Sequence, residues 1–265
     1  MPKRDQISNK GTFGKVLNFC GSHNYIGAAY LSAVSSLKVG AGYSALASVD
    51  DVIKSVSVLL PDAVFYSRQE GLNRIENHSV ILIGCGLGTD KSDVEFFKEV
   101  LKRLENKTMP IVIDADGLNI LVKLDINKLP ENAIITPHPA EASRLLGVGI
   151  ETVLSDIKGH AQKLSEKYGC ITVLKTHRTV VCDKSYNIYI NEHGNSALAK
   201  AGTGDVLAGI IAGLLAQKVS PRDAAKLGVY IHSRTGEIAS AELTEYSVLA
   251  TDLIKYIPAA IRELS

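Results

Sequence analysis

Residues 201–216 read AGTGDVLAGIIAGLLA: a glycine-rich turn, one carboxylate at Asp205, and then an apolar helix. Val206, Leu207, Ile210, Ile211, Leu214 and Leu215 leave that helix no polar face, which predicts a buried element with a charge at its mouth. Gly202 and Gly204 can take φ > 0 and let backbone approach a ligand. The first N–H groups of the helix lack internal partners and carry partial positive charge, so the turn suits phosphate. Asp205 could equally serve as an ordinary helix N-cap, and the turn by itself does not separate a cap from a base.

A buried helix needs a large core around it. The chain has 265 residues and is 46% hydrophobic, enough for one large α/β domain or two small ones. With 29 basic and 28 acidic residues the net charge is +1, so no global field gathers nucleic acid or anionic membrane, and a small-molecule partner is expected. Cys20, Cys85, Cys170 and Cys182 form no CxxC pair, which fits free thiols in a reducing compartment. The start, MPKRDQISNKGTFG, lacks a signal-peptide pattern, and the run VLAGIIAGLLA is shorter than the roughly 20 residues that span a bilayer. A cytoplasmic location is expected.

Short β-rich runs alternate with amphipathic stretches: VLNFC at 16–20, YSALAS at 43–48, SVILIG at 79–84, PIVIDA at 110–115 and AIITP at 133–137. Each reads as a buried parallel strand. Between them, residues 92–105 place Val94, Phe97, Leu101 and Leu104 at helical spacing, as a crossover helix does. CITVLK (170–175), TVVCD (179–183) and YNIYI (186–190) are joined by short polar turns, which predicts a partly antiparallel group. Three helices follow, over 205–217, about 221–241 and about 247–262, with Ser220 and Pro221 suiting a helix start. No linker or repeat interrupts the pattern, and one three-layer α/β/α domain over residues 1–265, with a mainly parallel sheet, is expected.

Ligands in such sheets lie beyond the carboxyl ends of the strands. Five polar or glycine clusters are expected to converge on that edge: GSHNYIGAA (21–29), GAG (40–42), GCGLG (84–88), DADGLN (114–119) and TPHPAE (136–141). GCGLG departs from the GxGxxG dinucleotide fingerprint, and no GxxxxGK[ST] phosphate loop is present. His138 lies between two prolines, and Glu141 could cap a helix beginning near Pro139 or help hold a metal on phosphate oxygens; spacing does not separate these. Lys175 to Thr179, KTHRT, forms a polar turn where a cation and a hydroxyl could meet phosphate or ribose. Asp114 and Asp116 read as turn-bonding acids rather than metal ligands, and His177, His193 and His232, without a partner at metal-ligand spacing, as surface or packing residues.

Together these segments resemble the ADP/ATP-dependent NAD(P)H-hydrate dehydratases, a branch of the ribokinase-like superfamily, nearly end to end. The likeness rests on NKGTFGKVL, GS followed by GAA, VGAGYS, IGCGLG, IDADGLN, ITPHPAEASRLL, VLKTHRTVV and GNSALAKAGTGDVLAGIIAGLLAQ, in that order. It implies a ribokinase-like fold and an enzyme that uses ADP or ATP to phosphorylate the hydroxyl of hydrated NADH or NADPH before phosphate leaves. Carried over by residue, it implies substrate contacts at Ala41, Gly86, Gly88, His138, Glu141 and Asp205, with Asp205 as catalytic base. For the nucleotide it implies Lys175, Thr176, His177, Arg178, Thr179, Asn195, Gly202, Thr203 and Gly204, with Mg2+ near Glu141. It also implies a homo-oligomer, a tetramer, and no nucleic-acid or membrane partner. Many relatives carry an epimerase domain ahead of this one, for which no room is expected here.

The loop departs from the family's usual GNPGMATGGTGD. Ser196 and Ala197 replace Pro-Gly, Ala201 replaces a glycine and Lys200 is added, so a less preset loop is expected. At this stage a ribokinase-like vitamin or sugar kinase would use the same base, anion turn and pocket, and a nucleotide-binding module without turnover would keep the pocket alone.

Overall fold

The computed structural model describes residues 1–2, 4 and 6–264. Nine strands form one sheet: β1 (Lys15–Phe19), β2 (Tyr43–Ser48), β3 (Val64–Ser67), β4 (Val80–Ile83), β5 (Ile111–Ile113), β6 (Ala133–Ile135), β7 (Ile171–Leu174), β8 (Val180–Cys182) and β9 (Ile188–Ile190), in the order 3-2-1-4-5-6-7-8-9. Pairing is parallel from β3 across to β7 and antiparallel for β7–β8 and β8–β9. The eight strand runs read from sequence hold to within one or two residues. β3, which that reading passed over, is a four-residue edge strand half-exposed throughout, so it lacks the apolar run that marks its neighbours.

Successive strand residues feed opposite cores because side chains alternate across a sheet. Val16, Leu82, Val112 and Ile134 point to one face, covered by α1 (Ile26–Lys38), α2 (Asp50–Leu59), α9 (Thr203–Ala216), α10 (Pro221–Leu243) and α11 (Ala250–Arg262). Leu17, Ile83, Ile113 and Ile135 point to the other. That face is covered by α3 (Arg68–Leu72), α4 (Lys91–Leu104), α5 (Asp116–Lys123), α6 (Pro139–Leu146), α7 (Ile150–Ser155) and α8 (Ile157–Tyr168). This is the three-layer α/β/α architecture, and none of the described helices is long and apolar enough to cross a membrane. All four cysteines are free and buried.

The apolar α9 lies inside the first layer, between the sheet and α1, α10 and α11. Its Gly209 and Gly213 let it rest on the backbone of α1: an added Cβ would come within 2.3 Å of the Ser32 carbonyl oxygen and 2.5 Å of that of Ser36. α9 thereby runs from one sheet edge to the other, with its N-terminus among the strand carboxyl ends.

One expectation about the edges fails. Residues 40–42 precede β2, so they stand at the amino edge of the sheet, where the Gly42 N–H donates to the Phe13 carbonyl at 3.2 Å. Gln217, past the C-terminus of α9, donates to the neighbouring Val39 carbonyl at 3.2 Å. Ala41 is buried there, separated from Asp205 by most of α9, about 20 Å of helix.

Candidate active site

Gly202 is the N-cap of α9, with φ 90, a left-handed backbone that glycine accepts without strain. Gly204 is already helical; what it contributes is space, since a Cβ there would sit 3.4 Å from Lys175 Nζ and 3.7 Å from Asp114 Oδ2. Asp205 is therefore in the first helical turn rather than at the cap, and the cap reading of this residue is overturned. Its carboxylate is a charge that the cap does not need.

Three strand ends bring charge to that turn. Asp114, after β5, is buried, and its Oδ1 accepts from Lys175 Nζ at 2.7 Å. Lys175, after β7, has its backbone fixed by donation from its N–H to the Pro137 carbonyl at 2.8 Å, and its ammonium also lies 4.0 Å from Glu141 Oε2. Burial alone would depress the Lys175 pKa, but the Asp114 and Glu141 carboxylates outweigh it and hold the ammonium above its ordinary value. Cys85, after β4, completes the group: one ligand atom each from Cys85, Asp114 and Asp205 lie within 4.8 Å of one another. Such a cluster could attract a cation, and the Lys175 ammonium, bonded to Asp114, offsets part of its negative charge.

Burial, reinforced by the charge of Asp114, raises the Asp205 pKa to about 7, against smaller opposing effects of Cys85 and Lys175. Burial is the larger cause; Asp114, read from the sequence as a turn residue, adds to it because the packing of β5 and α9 sets it beside the base. A carboxyl near 7 is matched to proton abstraction at neutral pH.

His138 and Glu141 close the next side of the site. His138 is the N-cap of α6, its Nδ1 accepting from the Ala140 N–H at 3.2 Å while Glu141 Oε2 accepts from the His138 N–H at 2.8 Å, a reciprocal capping box. Spacing left Glu141 between a cap and a metal-holding role; the structure shows the cap. Burial raises the Glu141 pKa against the pull of Lys175, and burial together with Lys175 lowers that of His138.

A cavity of about 700 Å³ opens from this group along α9 and α10. Of the residues expected to hold nucleotide, Lys175, Thr176, His177, Thr179, Asn195, Thr203 and Gly204 line it, as does His138. Arg178 is exposed in the turn, its N–H bonded to Thr176 Oγ1, and Gly202 packs against Leu31 and Ala250 rather than facing the cavity. Gly86 and Gly88 sit in the turn after β4, where the Gly88 N–H donates to Asp116 Oδ2 at 3.0 Å. Ala41 lies near the other end of α9 from this group.

Sequence reading also missed lining residues. His193 and His232 both face the cavity, and burial takes His232 down to about 4, so it is neutral, with its Nε2 unpartnered. Neither has a sequence neighbour at ligand spacing; His232 reaches the cavity on α10 and His193 on the segment after β9. The altered loop is pinned rather than slack. Ser196 Oγ bonds Glu245 and Lys200 Nζ bonds the Tyr246 carbonyl, so two departures from the usual loop tie it to the α10–α11 connection.

Residues 16–259 match the family model described as NAD(P)H-hydrate dehydratase. The chain belongs to the NAD(P)H-hydrate dehydratase family. Within it, the chain is 36% identical over 239 residues to the ADP-dependent (S)-NAD(P)H-hydrate dehydratase of Neisseria meningitidis, covering 89% of this chain and 80% of that one. It is also 36% identical to the bifunctional NAD(P)H-hydrate repair enzyme of Coxiella burnetii, covering 97% of this chain and 52% of that protein. The chain thus spans about half the length of such bifunctional relatives. The crystal structure of ADP/ATP-dependent NAD(P)H-hydrate dehydratase from Bacillus subtilis, co-crystallised with ATP and Mg2+, superposes with a TM-score of 0.89 at 28% identity, covering 100% of this chain and 95% of that one. The fold is the ribokinase-like one, which a ribokinase-like superfamily protein of Enterococcus faecalis shares at a TM-score of 0.89 and 31% identity.

Proposed function

We propose that this NAD(P)H-hydrate dehydratase uses ADP, or ATP, to return the hydrated, inactive form of NADH or NADPH to the reduced cofactor. The observation that carries the mechanism is the carboxyl of Asp205, raised to about 7 at the N-terminus of a helix whose first turn lines a cavity of about 700 Å³. Asp205 removes the proton from the substrate hydroxyl as that oxygen attacks the terminal phosphorus of ADP; the bond to the bridging oxygen breaks and AMP leaves. Phosphate then leaves with the electrons of its C–O bond, and loss of the proton from the adjacent ring carbon leaves the electrons of that C–H bond to restore the dihydropyridine double bond. Backbone N–H groups around Gly204 and the Lys175 ammonium stabilise the transferring charge.

Lys175 to Thr179 and the loop from Asn195 to Gly204 hold the nucleotide, with Arg178 at the exposed turn and Gly202 supporting the loop from behind. Gly86, Gly88, His138 and Glu141 face the dihydropyridine side. Ala41 is omitted on the geometry given above. Magnesium fits as a partner of the nucleotide phosphates. The Glu141 Oε2 is engaged by its cap and Lys175, so Glu141 would meet the ion through water, as Mg2+ tolerates. A cytoplasmic homotetramer completes the proposal, its assembly measurable by light scattering.

Hydrated NADH incubated with the protein and ADP is expected to regain the reduced-nicotinamide absorbance with release of one phosphate per turnover. A stable phosphorylated small molecule in place of free phosphate would make the protein a kinase instead.

A further inference from the structure

The GCGLG turn, too irregular to be a dinucleotide fingerprint, carries a side chain that the mechanism above does not use. Cys85 is fully buried between two glycines with left-handed backbones, Gly84 at φ 116 and Gly86 at φ 59. Neither glycine can be replaced without collision: a Cβ at Gly84 would lie 2.1 Å from the Asp114 carbonyl oxygen, and one at Gly86 would lie 2.5 Å from Tyr25 Cβ. The turn is further tied down by the Gly21 N–H, which donates to the Cys85 carbonyl at 2.8 Å. Held by this backbone, the thiol lies near Cys20 and beside Asp114 and Asp205, where its sulfur and a carboxylate oxygen from each acid lie within 4.8 Å of one another.

We infer that Cys85 is a positioning residue for the base: its S–H donates to the Asp205 carboxylate and holds it facing the substrate hydroxyl. The inference rests on Asp205 being that base. A thiol is a weak donor, but in a dry site a donor aimed at a carboxylate favours its charged form. The other groups facing Asp205 are Asp114 and Asp116, which oppose its ionisation, and Lys175, which favours it. Cys85 itself stays protonated, and so remains a donor. Its contact with the Cys20 thiol, then burial, then the nearby carboxylates push its pKa well above that of a free thiol.

The test is the pH dependence of kcat/KM for the wild type, Cys85→Ala and Cys85→Ser, each checked for folding by circular dichroism. Losing the donor is expected to move the inflection upward by about one unit, so that Cys85→Ala falls roughly tenfold below wild type at acidic pH and rejoins it at alkaline pH. Cys85→Ser, which keeps an O–H donor, is expected to stay within about twofold of wild type throughout. An Ala profile overlaying wild type, or a Ser profile displaced as far as Ala, overturns the inference. The S–H stretching band gives a reading independent of the Ala variant: the component lost in Cys85→Ser should shift in Asp205→Asn, and a band indifferent to Asp205 also overturns it. Full activity in Asp205→Asn would instead remove the base reading itself.

Discussion

The two edges of the sheet are both rich in glycine, yet only one gathers chemistry. At the amino edge, Gly40 to Gly42 let backbone segments pass close to the N-terminal loop and the end of α9, and Ala41 is buried among them. At the carboxyl edge, Gly84 to Gly88 and Gly202 to Gly204 permit equally close approaches, but Asp114, Glu141, Lys175 and Asp205 arrive with them. Close backbone packing is thus a common need of the fold, whereas three carboxyls gathered around one ammonium mark the carboxyl edge. The helix α9 connects the two: its C-terminus serves packing and its N-terminus serves the anion.

Substitutions on the two edges should differ sharply. Asp205→Asn keeps the shape of the site and removes the base, so turnover is expected to fall by about 10³-fold or more while ADP affinity, read by calorimetry, stays within roughly threefold. The same variant carries a stability signature. Because folding raises the Asp205 pKa from 3.8 to about 7, the folded state binds the extra proton, and stability is lost as pH rises through that window. Asn removes that loss, so its melting temperature should exceed that of wild type at pH 8 and match it more closely at pH 4.

Lys175→Met removes the cation that neutralises Asp114 and Glu141. A cost of about 3 kcal/mol in stability and a loss of roughly a hundredfold in kcat/KM are expected, from urea unfolding and initial rates respectively. Gly209→Ala tests the connection between the edges. With the Ser32 carbonyl 2.3 Å from the added methyl, α9 must shift, at about 2 kcal/mol and roughly 5 °C in melting temperature. Ala41→Ser, at the amino edge, is expected to leave both KM values within about twofold of wild type. A large KM effect at Ala41 would break the contrast between the edges.

Much of this was legible beforehand because buried parallel strands write themselves as apolar runs, and because a helix as uniformly apolar as α9 has only one place to go. The position of Ala41 was misread for a plain topological reason: a glycine cluster that precedes a parallel strand lies at the opposite edge from one that follows it. Asp114 was undervalued because its partner Lys175 is 61 residues away in sequence, and His193 and His232 because the segment after β9 and the helix α10 meet at the cavity only in the folded chain. Glu141 shows the converse. Its capping geometry with His138 was one of two readings allowed by spacing, and the hydrogen bonds at the start of α6 show it, without bearing on the metal-holding one. The substituted loop would have been judged slack from composition alone; the bonds from Ser196 and Lys200 to the α10–α11 connection are long-range and leave no local pattern.

The central claim is that burial and Asp114 tune Asp205 to act as a base at neutral pH. Its most direct test is the pH dependence of kcat/KM for ADP-dependent recovery of reduced nicotinamide, from about pH 5 to 9. The account predicts a rise with pH that is half-complete near 7, as Asp205 loses its proton. A rate that stays level through that range, or falls as pH rises through 7, would contradict it.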